Sequence, residues 1–317
     1  MLNSSPAFDK YCQYAIRADV PGGLNYLFAN QDEESQQLLS KLNNHFQNPP
    51  LPDGPKLLKD VLSVYFAYFA QIFTKNFSVE EAENFLVSTL SDRFGNSDKT
   101  SSKDIIFDIE SRLKQDLQDL GYFFLGGRTL PYWGPYIYEK EEPVTYCVEL
   151  PEASQNVSVV FMHNFFCMSW LDFATMGQMG TGGWAKENAL YCVASKWDRK
   201  SEDFTVHYLK HEAQHQYDLQ QFPWLFEDQE TLEYRAKLAE LVYSSQPSVL
   251  KRFLNEADSQ SSSPHSRASD RIRIGFSKHA PISHEYSLPQ IQTIAKQLLL
   301  ASSQSLRQKS NDPTLDS

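Results

Sequence analysis

The chain has 317 residues, of which 41% are apolar, 13% aromatic and 22% charged. This composition provides for one large or two modest globular domains and excludes a disordered chain. A formal net charge of −11 without any basic run argues against a nucleic-acid partner.

Four cysteines, Cys12, Cys147, Cys167 and Cys192, lie far apart and form no CxxC pair. Neither a thiolate metal site nor a disulfide framework is expected from them. The N-terminus lacks the basic-then-apolar pattern of a secretory signal, so the expected compartment is the reduced cytosol. The most apolar stretch, 61–73, contains Ser63 and Gln71 and is shorter than the roughly 20 residues a bilayer span needs. It reads as a buried helix, and no membrane partner is expected.

In chain order, residues 34–121 repeat apolar side chains three and four apart between polar or proline-containing breaks, which predicts three or four helices. The stretch 48–55, NPPLPDGP, separates two of them, because its prolines remove donors and fix the backbone. Ser78 and Glu81 have the spacing of a capping box. Ile106, Ile109, Leu113, Leu117 and Leu120 form a single stripe, and Gly121 supplies a stop.

After Gly121 the runs become short and rich in Tyr, Phe, Val and Cys, at 122–125, 136–138, 144–150, 157–163 and 189–195, and these read as strands. The glycine- and aromatic-rich stretch 164–184 lacks the spacing of a phosphate cradle. From Phe204 the chain returns to helices, with a loop at 259–263, a last helix at 288–306 and a frayed end. Helices, then strands, then helices predict an α+β fold.

Residues 211–215 read HEAQH within the segment 205–219, which contains neither Pro nor Gly and should be helical. Positions four apart share a helix face, so His211 and His215 can direct imidazole nitrogens to one point about 2.0–2.1 Å from each, as zinc requires. Glu212 is rotated off that axis yet adjacent to it, where it can hold and deprotonate a water. With 8 His and 20 Glu in the chain, HExxH is expected by chance about 0.01 times.

A catalytic zinc takes three protein ligands and keeps one position open. Pro223 ends the first helix, and a second should begin at Asp228, which can cap it, and run to about Tyr243. Glu233 lies 18 positions after His215, far enough for the chain to reverse and present a third ligand. The alternative is that Glu233 pairs with Lys237 one turn later on a solvated face. Asp218, seven after His211, and Glu240, seven after Glu233, are candidates for orienting the ligands from behind, or else solvated charges. His207 is about 12 Å along the axis from His215, too far to share one ion, and reads as cleft-lining or exposed.

HEAQH followed by Glu233 on a second helix resembles the gluzincin zinc metallopeptidases, the class that includes thermolysin. The string TGGWA, then HEAQH, then LEYRAKLAEL is similar to uncharacterised bacterial proteins. The resemblance covers Phe204 to Val242. The usual NExxSD form of the second motif is not kept. It implies that His211, His215 and Glu233 bind one Zn²⁺ and that Glu212 is the general base. It further implies a small twisted sheet above the first helix, whose edge strand receives an extended peptide. Here the edge would lie within 170–184, with Gly182, Gly183 and Trp184 facing substrate, unless the glycines form an ordinary turn. An oxyanion donor would come from His265, His279, His284 or Tyr286.

The expected organisation is an N-terminal helical module over 1–120, a zincin-like catalytic region over 121–250, a C-terminal helical part over 251–304 and a flexible tail over 305–317. The expected activity is peptide-bond hydrolysis on a peptide or protein substrate. The alternative is a zinc-containing regulatory or interaction protein with little or no turnover.

Overall fold

The computed structural model describes residues 5–74, 77–95, 101–186, 189–261, 263–281 and 285–310. The chain folds as two compact units, one of Met1–Glu141 with Met162–Thr181, the other of Glu142–Phe161 with Gly182–Ser317.

The first unit begins with α1 (Pro6–Ala15) and α2 (Val20–Ala29), both ahead of the stretch whose periodicity predicts helices. Ser5 and Asp19 cap them, and a proline occupies the first turn of each, where a missing N–H costs nothing. Then come α3 (Glu33–Gln47), α4 (Lys56–Phe73), α5 (Val79–Phe94) and α6 (Ser102–Asp119). The Ser78–Glu81 capping box starts α5, and Gly121 follows α6 at φ +85°. Helix α4 is buried on most of its circumference, through Val61, Leu62, Tyr65, Phe69 and Phe73 among others, so it forms the centre of this unit.

Glu110 of α6 is buried in that core, where it accepts from the Tyr65 hydroxyl at 2.5 Å and from the Gly127 backbone N–H. A Cβ on Gly126 would come within 2.3 Å of its carboxylate, so only glycine lets the backbone lie against it. Burial pushes the Glu110 carboxyl up to about 7, against the opposing hydrogen bonds. Because the folded chain holds this proton more tightly than the unfolded chain, the protonated pair stabilises fully below about pH 4.5. That stability is lost as pH rises towards 7, by roughly 3 kcal/mol. Glu110→Gln is therefore expected to raise the unfolding midpoint at pH 8 and to change it little at pH 4. A loss of stability at pH 8 would contradict this.

The strands follow as β1 (Phe123–Leu125), the short hairpin β2 (Arg128–Thr129) and β3 (Tyr132–Trp133), then β4 (Tyr136–Glu149) and β5 (Ser154–Met168). Two runs separate in sequence, 136–138 and 144–150, thus merge into one 14-residue strand. Helix α7 (Ser169–Ala174) buries Trp170 and Phe173 in the first core, so this part of the expected edge stretch is helical. The strand there is shorter, β6 (Gly183–Lys186), and it pairs antiparallel with β7 (Ala189–Val193). The five-stranded sheet has the order β1-β4-β5-β7-β6, with β6 last.

In the second unit Val157, Val159 and Phe161 of β5 and Leu190 and Cys192 of β7 pack against Phe204, Leu209 and Ala213. The last three belong to a π-helical turn, Asp203–Tyr208, and to α8 (Leu209–Gln221), which continues from it. A 3₁₀ turn, Pro223–Glu227, leads into α9 (Gln229–Tyr243). Every residue of α9 from Thr231 to Leu241 is buried, because α8, α11 (Pro264–Ser277) and α12 (Leu288–Ser310) surround it. Helix α10 (Ser248–Glu256) adds Val249, Leu250 and Phe253 to the same core. The tail expected from 305 is corrected up to Ser310: α12 extends that far, and Leu306 is buried with Phe222, Leu225 and Leu232. Among the described residues no helix is long and apolar enough to cross a membrane.

Arg235 of α9 is fully buried and donates from Nε and Nη2 to Asp218 of α8, each at 2.8 Å. It also donates to Ser303 of α12 at 2.9 Å. Arg235→Met would leave the Asp218 charge in the interior without its cation and with only the Gln214 amide among its described donors, which costs about 3–5 kcal/mol. Urea unfolding is expected to show that loss, and Asp218→Leu added to it is expected to restore much of it. Equal stability of wild type and the single variant would contradict the assignment.

Candidate metal centre

The site is built on α8 and α9. His211 and His215 are one turn apart on α8, with Nε2 atoms 3.0 Å apart and ring planes inclined at 82°. Pro223 ends the first helix, and Asp228 caps the next by accepting from the Thr231 N–H at 3.0 Å. This short reversal sets α9 across α8 and brings Glu233 to the histidines. Glu233 Oε2 lies 3.5 Å from His211 Nε2, and Oε1 lies 3.4 Å from His215 Nε2.

A tetrahedral zinc with bonds of about 2.0–2.1 Å has donor-to-donor edges of about 3.3–3.4 Å. The imidazole nitrogens are somewhat closer than that, and each has a different Glu233 oxygen near that distance. Among the described residues these three form the one group of His, Cys, Asp or Glu donors converging closely enough to hold a cation. Glu233 Oε2 is buried, with His265 Nδ1 at 2.8 Å and His211 Nε2 at 3.5 Å from it. Two imidazoles and a carboxylate suit zinc, and also other divalent transition metals.

Behind His211 stands Glu240, itself buried. Its Oε1 accepts from His211 Nδ1 at 2.7 Å, which leaves Nε2 turned towards Glu233. Its Oε2 accepts from His207 Nδ1 at 2.8 Å and from Arg252 Nη2 at 3.3 Å. Burial opposes its charge, but the two imidazoles hold the Glu240 carboxyl below its ordinary range. Burial alone would likewise depress His211. Hydrogen bonds to Glu233 and Glu240 outweigh it and raise His211 to about 10. Glu233 is held far below the usual carboxylate range by its contacts with His211, His215 and His265, against its own desolvation.

Asp218 does not orient an imidazole. Its carboxylate is taken by Arg235 and by Gln214 Nε2 at 2.9 Å, because α9 sets the guanidinium directly opposite it. His215 Nδ1 is buried and has no hydrogen-bond partner among the described residues. The solvated Glu233–Lys237 pair is not formed either, since Lys237 turns to Glu256 at 2.5 Å and to Ser269 at 2.9 Å. His207 is mostly buried, with 11% of its side chain exposed, instead of lining an open cleft.

Glu212 is half-buried and makes no hydrogen bond or ion pair with a described residue. Its negative charge raises the Tyr208 hydroxyl and the Cys192 thiol, though burial is the larger cause for both, so it faces the β7 side of α8. Tyr208 also reaches β6, since a Cβ on Gly183 would lie 3.0 Å from its hydroxyl. Gly183 is required by its own sheet: that Cβ would meet the Tyr191 carbonyl oxygen at 2.2 Å. Gly182 lies against the Trp197 indole, and Trp184 stacks on Tyr191 with ring centroids 6.0 Å apart. Close approach of neighbouring protein, not of substrate, therefore accounts for both glycines.

Of the oxyanion candidates, His265 in the first turn of α11 places Nδ1 2.8 Å from Glu233 Oε2. The Tyr286 hydroxyl donates to the carbonyls of Phe276 and Ala280 at the other end of α11, about 16 Å further along at 1.5 Å per residue. That end also holds His279, whose backbone N–H donates to Phe276. His284 lies outside the described residues. Arg252 and Tyr208, which the motif does not signal, join the site only through packing.

Comparison of the chain with family models, with curated proteins and with solved structures finds no match.

Proposed function

We propose that the chain is a zinc-dependent peptide hydrolase with a gluzincin-type, zincin-like site, in which His211, His215 and Glu233 hold Zn²⁺ and Glu212 transfers protons. One observation carries this reading: His211 Nε2 and His215 Nε2 lie 3.0 Å apart, and each has one oxygen of the Glu233 carboxylate close by, Oε2 at 3.5 Å and Oε1 at 3.4 Å, so that one donor atom from each residue falls within 4.8 Å of the others. Three protein donors leave a fourth position open, as catalysis requires. Zn²⁺, when bound, supplies a Lewis acid that polarises a carbonyl and acidifies water.

The remaining work falls to the protein. Glu212, with no partner among the described residues, takes a proton from water as its oxygen bonds to the scissile carbonyl carbon. It returns that proton to the amine as the C–N bond breaks. His265, beside Glu233, is the donor available to a developing oxyanion. Strand β6, last in the sheet, provides the backbone to which an extended peptide adds. Free thiols at Cys12, Cys147, Cys167 and Cys192 suit a reducing compartment, which we take to be the cytosol.

The test is metal content by elemental analysis of purified protein together with cleavage of a peptide mixture followed by mass spectrometry. One zinc per chain and zinc-dependent cleavage are expected. Bound zinc without cleavage of any peptide would sink the hydrolase assignment and leave a zinc-containing regulatory protein.

A further inference from the structure

We infer that His207 is a positioning residue of the metal centre, locking the Glu240 carboxylate so that Glu240 in turn locks His211. The inference rests on the metal-site reading above. His207 lies in the π-helical turn that leads into α8, one turn before His211. π turns inserted in α-helices are concentrated at functional sites. Both imidazoles present Nδ1 to the same carboxylate, at 2.8 Å from His207 and 2.7 Å from His211, and each meets a different oxygen. A carboxylate gripped at both oxygens by ring N–H groups cannot rotate about its terminal bond. Its Oε1 is then fixed in the one direction that keeps His211 Nε2 turned inward.

The anchoring continues beyond His207. Its Nε2 is 3.7 Å from Glu202 Oε1, and Glu202 accepts from the Ser245 N–H at 2.8 Å and from Ser244 Oγ at 2.6 Å, just past the end of α9. The only other donor to Glu240 Oε2 among the described residues is Arg252, at 3.3 Å and with 57% of its side chain exposed. A long solvated side chain at that distance is a poor substitute for a buried imidazole. Without His207, the carboxylate is free to turn towards Arg252, and His211 loses its fixed orientation while keeping its place on the helix.

The experiment measures zinc affinity of the full chain by competition with a chromophoric chelator, with thermal unfolding alongside. His207→Leu removes the donor and is expected to weaken zinc binding 10- to 100-fold, the range for lost outer-sphere partners. His207→Asn presents an amide N–H near the position of Nδ1 and is expected to recover most of that loss. A merely structural tie would lower the unfolding midpoint and leave the affinity of folded protein unchanged. Wild-type affinity in His207→Leu, or equal weakening in Leu and Asn, would overturn the inference. Should the Leu variant fail to fold, imidazole nitrogen NMR of zinc-loaded wild type decides. A proton on Nδ1 of both His207 and His211 is expected, and its absence from His207 Nδ1 overturns the inference. Wild type that takes up no zinc would overturn the metal-site reading itself, a result distinct from either of these.

Discussion

Glu212→Gln is expected to keep one zinc per chain and to lose peptide hydrolysis by roughly 10²–10⁴-fold, the usual contribution of a general acid–base group. The substitution is nearly isosteric, so the packing of this half-buried residue survives. No ion pair or hydrogen bond to a described residue is lost with the carboxylate. What disappears is the ability to take a proton. Zinc binding should persist because Glu212 is not one of the three converging donors. Elemental analysis and initial rates on one peptide, wild type beside variant, would read both halves. Undiminished hydrolysis in the variant would remove Glu212 from the chemistry, and loss of zinc would mean that it is a ligand.

Glu233→Ala is expected to lower zinc affinity about 10²–10⁴-fold, on the basis that one ligand supplies a quarter to a third of the roughly 10–16 kcal/mol typical of protein zinc sites. The matching control is Lys237→Met. Lys237 lies one turn after Glu233, but its ammonium goes to Glu256 and Ser269, away from the histidines. Zinc affinity of the folded Lys237→Met chain should equal that of wild type. If Glu233→Ala held zinc as tightly as wild type, the carboxylate would not be a ligand, and the assigned chemistry would have to be abandoned.

The features legible beforehand are those set by short-range rules. HEAQH places two imidazoles on one face wherever the segment is helical, and Asp228 caps the following helix by a contact three residues long. Helices α1 and α2 give little periodic signal, because each has only 10 residues and the first turn of α2 carries a proline and two glycines. Helix α7, six residues inside an aromatic stretch, gives no repeat to detect. Pro143 with the charged run before it divides β4 in sequence. In the structure Pro143 lies inside β4, beyond the three residues that pair with β1.

Asp218 and Glu240 show where such reading stops. Each is a carboxylate seven residues after a proposed zinc ligand, and on spacing alone they are equivalent. Across the packed helices Asp218 meets the Arg235 guanidinium, whereas Glu240 meets the rings of His207 and His211. The same packing puts His265 beside Glu233, whereas the Tyr286 hydroxyl bonds to the far end of α11. By itself, then, the sequence determined the mixed α+β class, the paired imidazoles with their adjacent carboxylate, and the second helix that carries Glu233. Tertiary structure alone decided how that carboxylate reaches the histidines, what stands behind His211, and that Asp218 serves stability. The helical repeat fixes which side chains share a face of one helix, but what they meet across an 8–10 Å interhelical gap depends on how the helices pack.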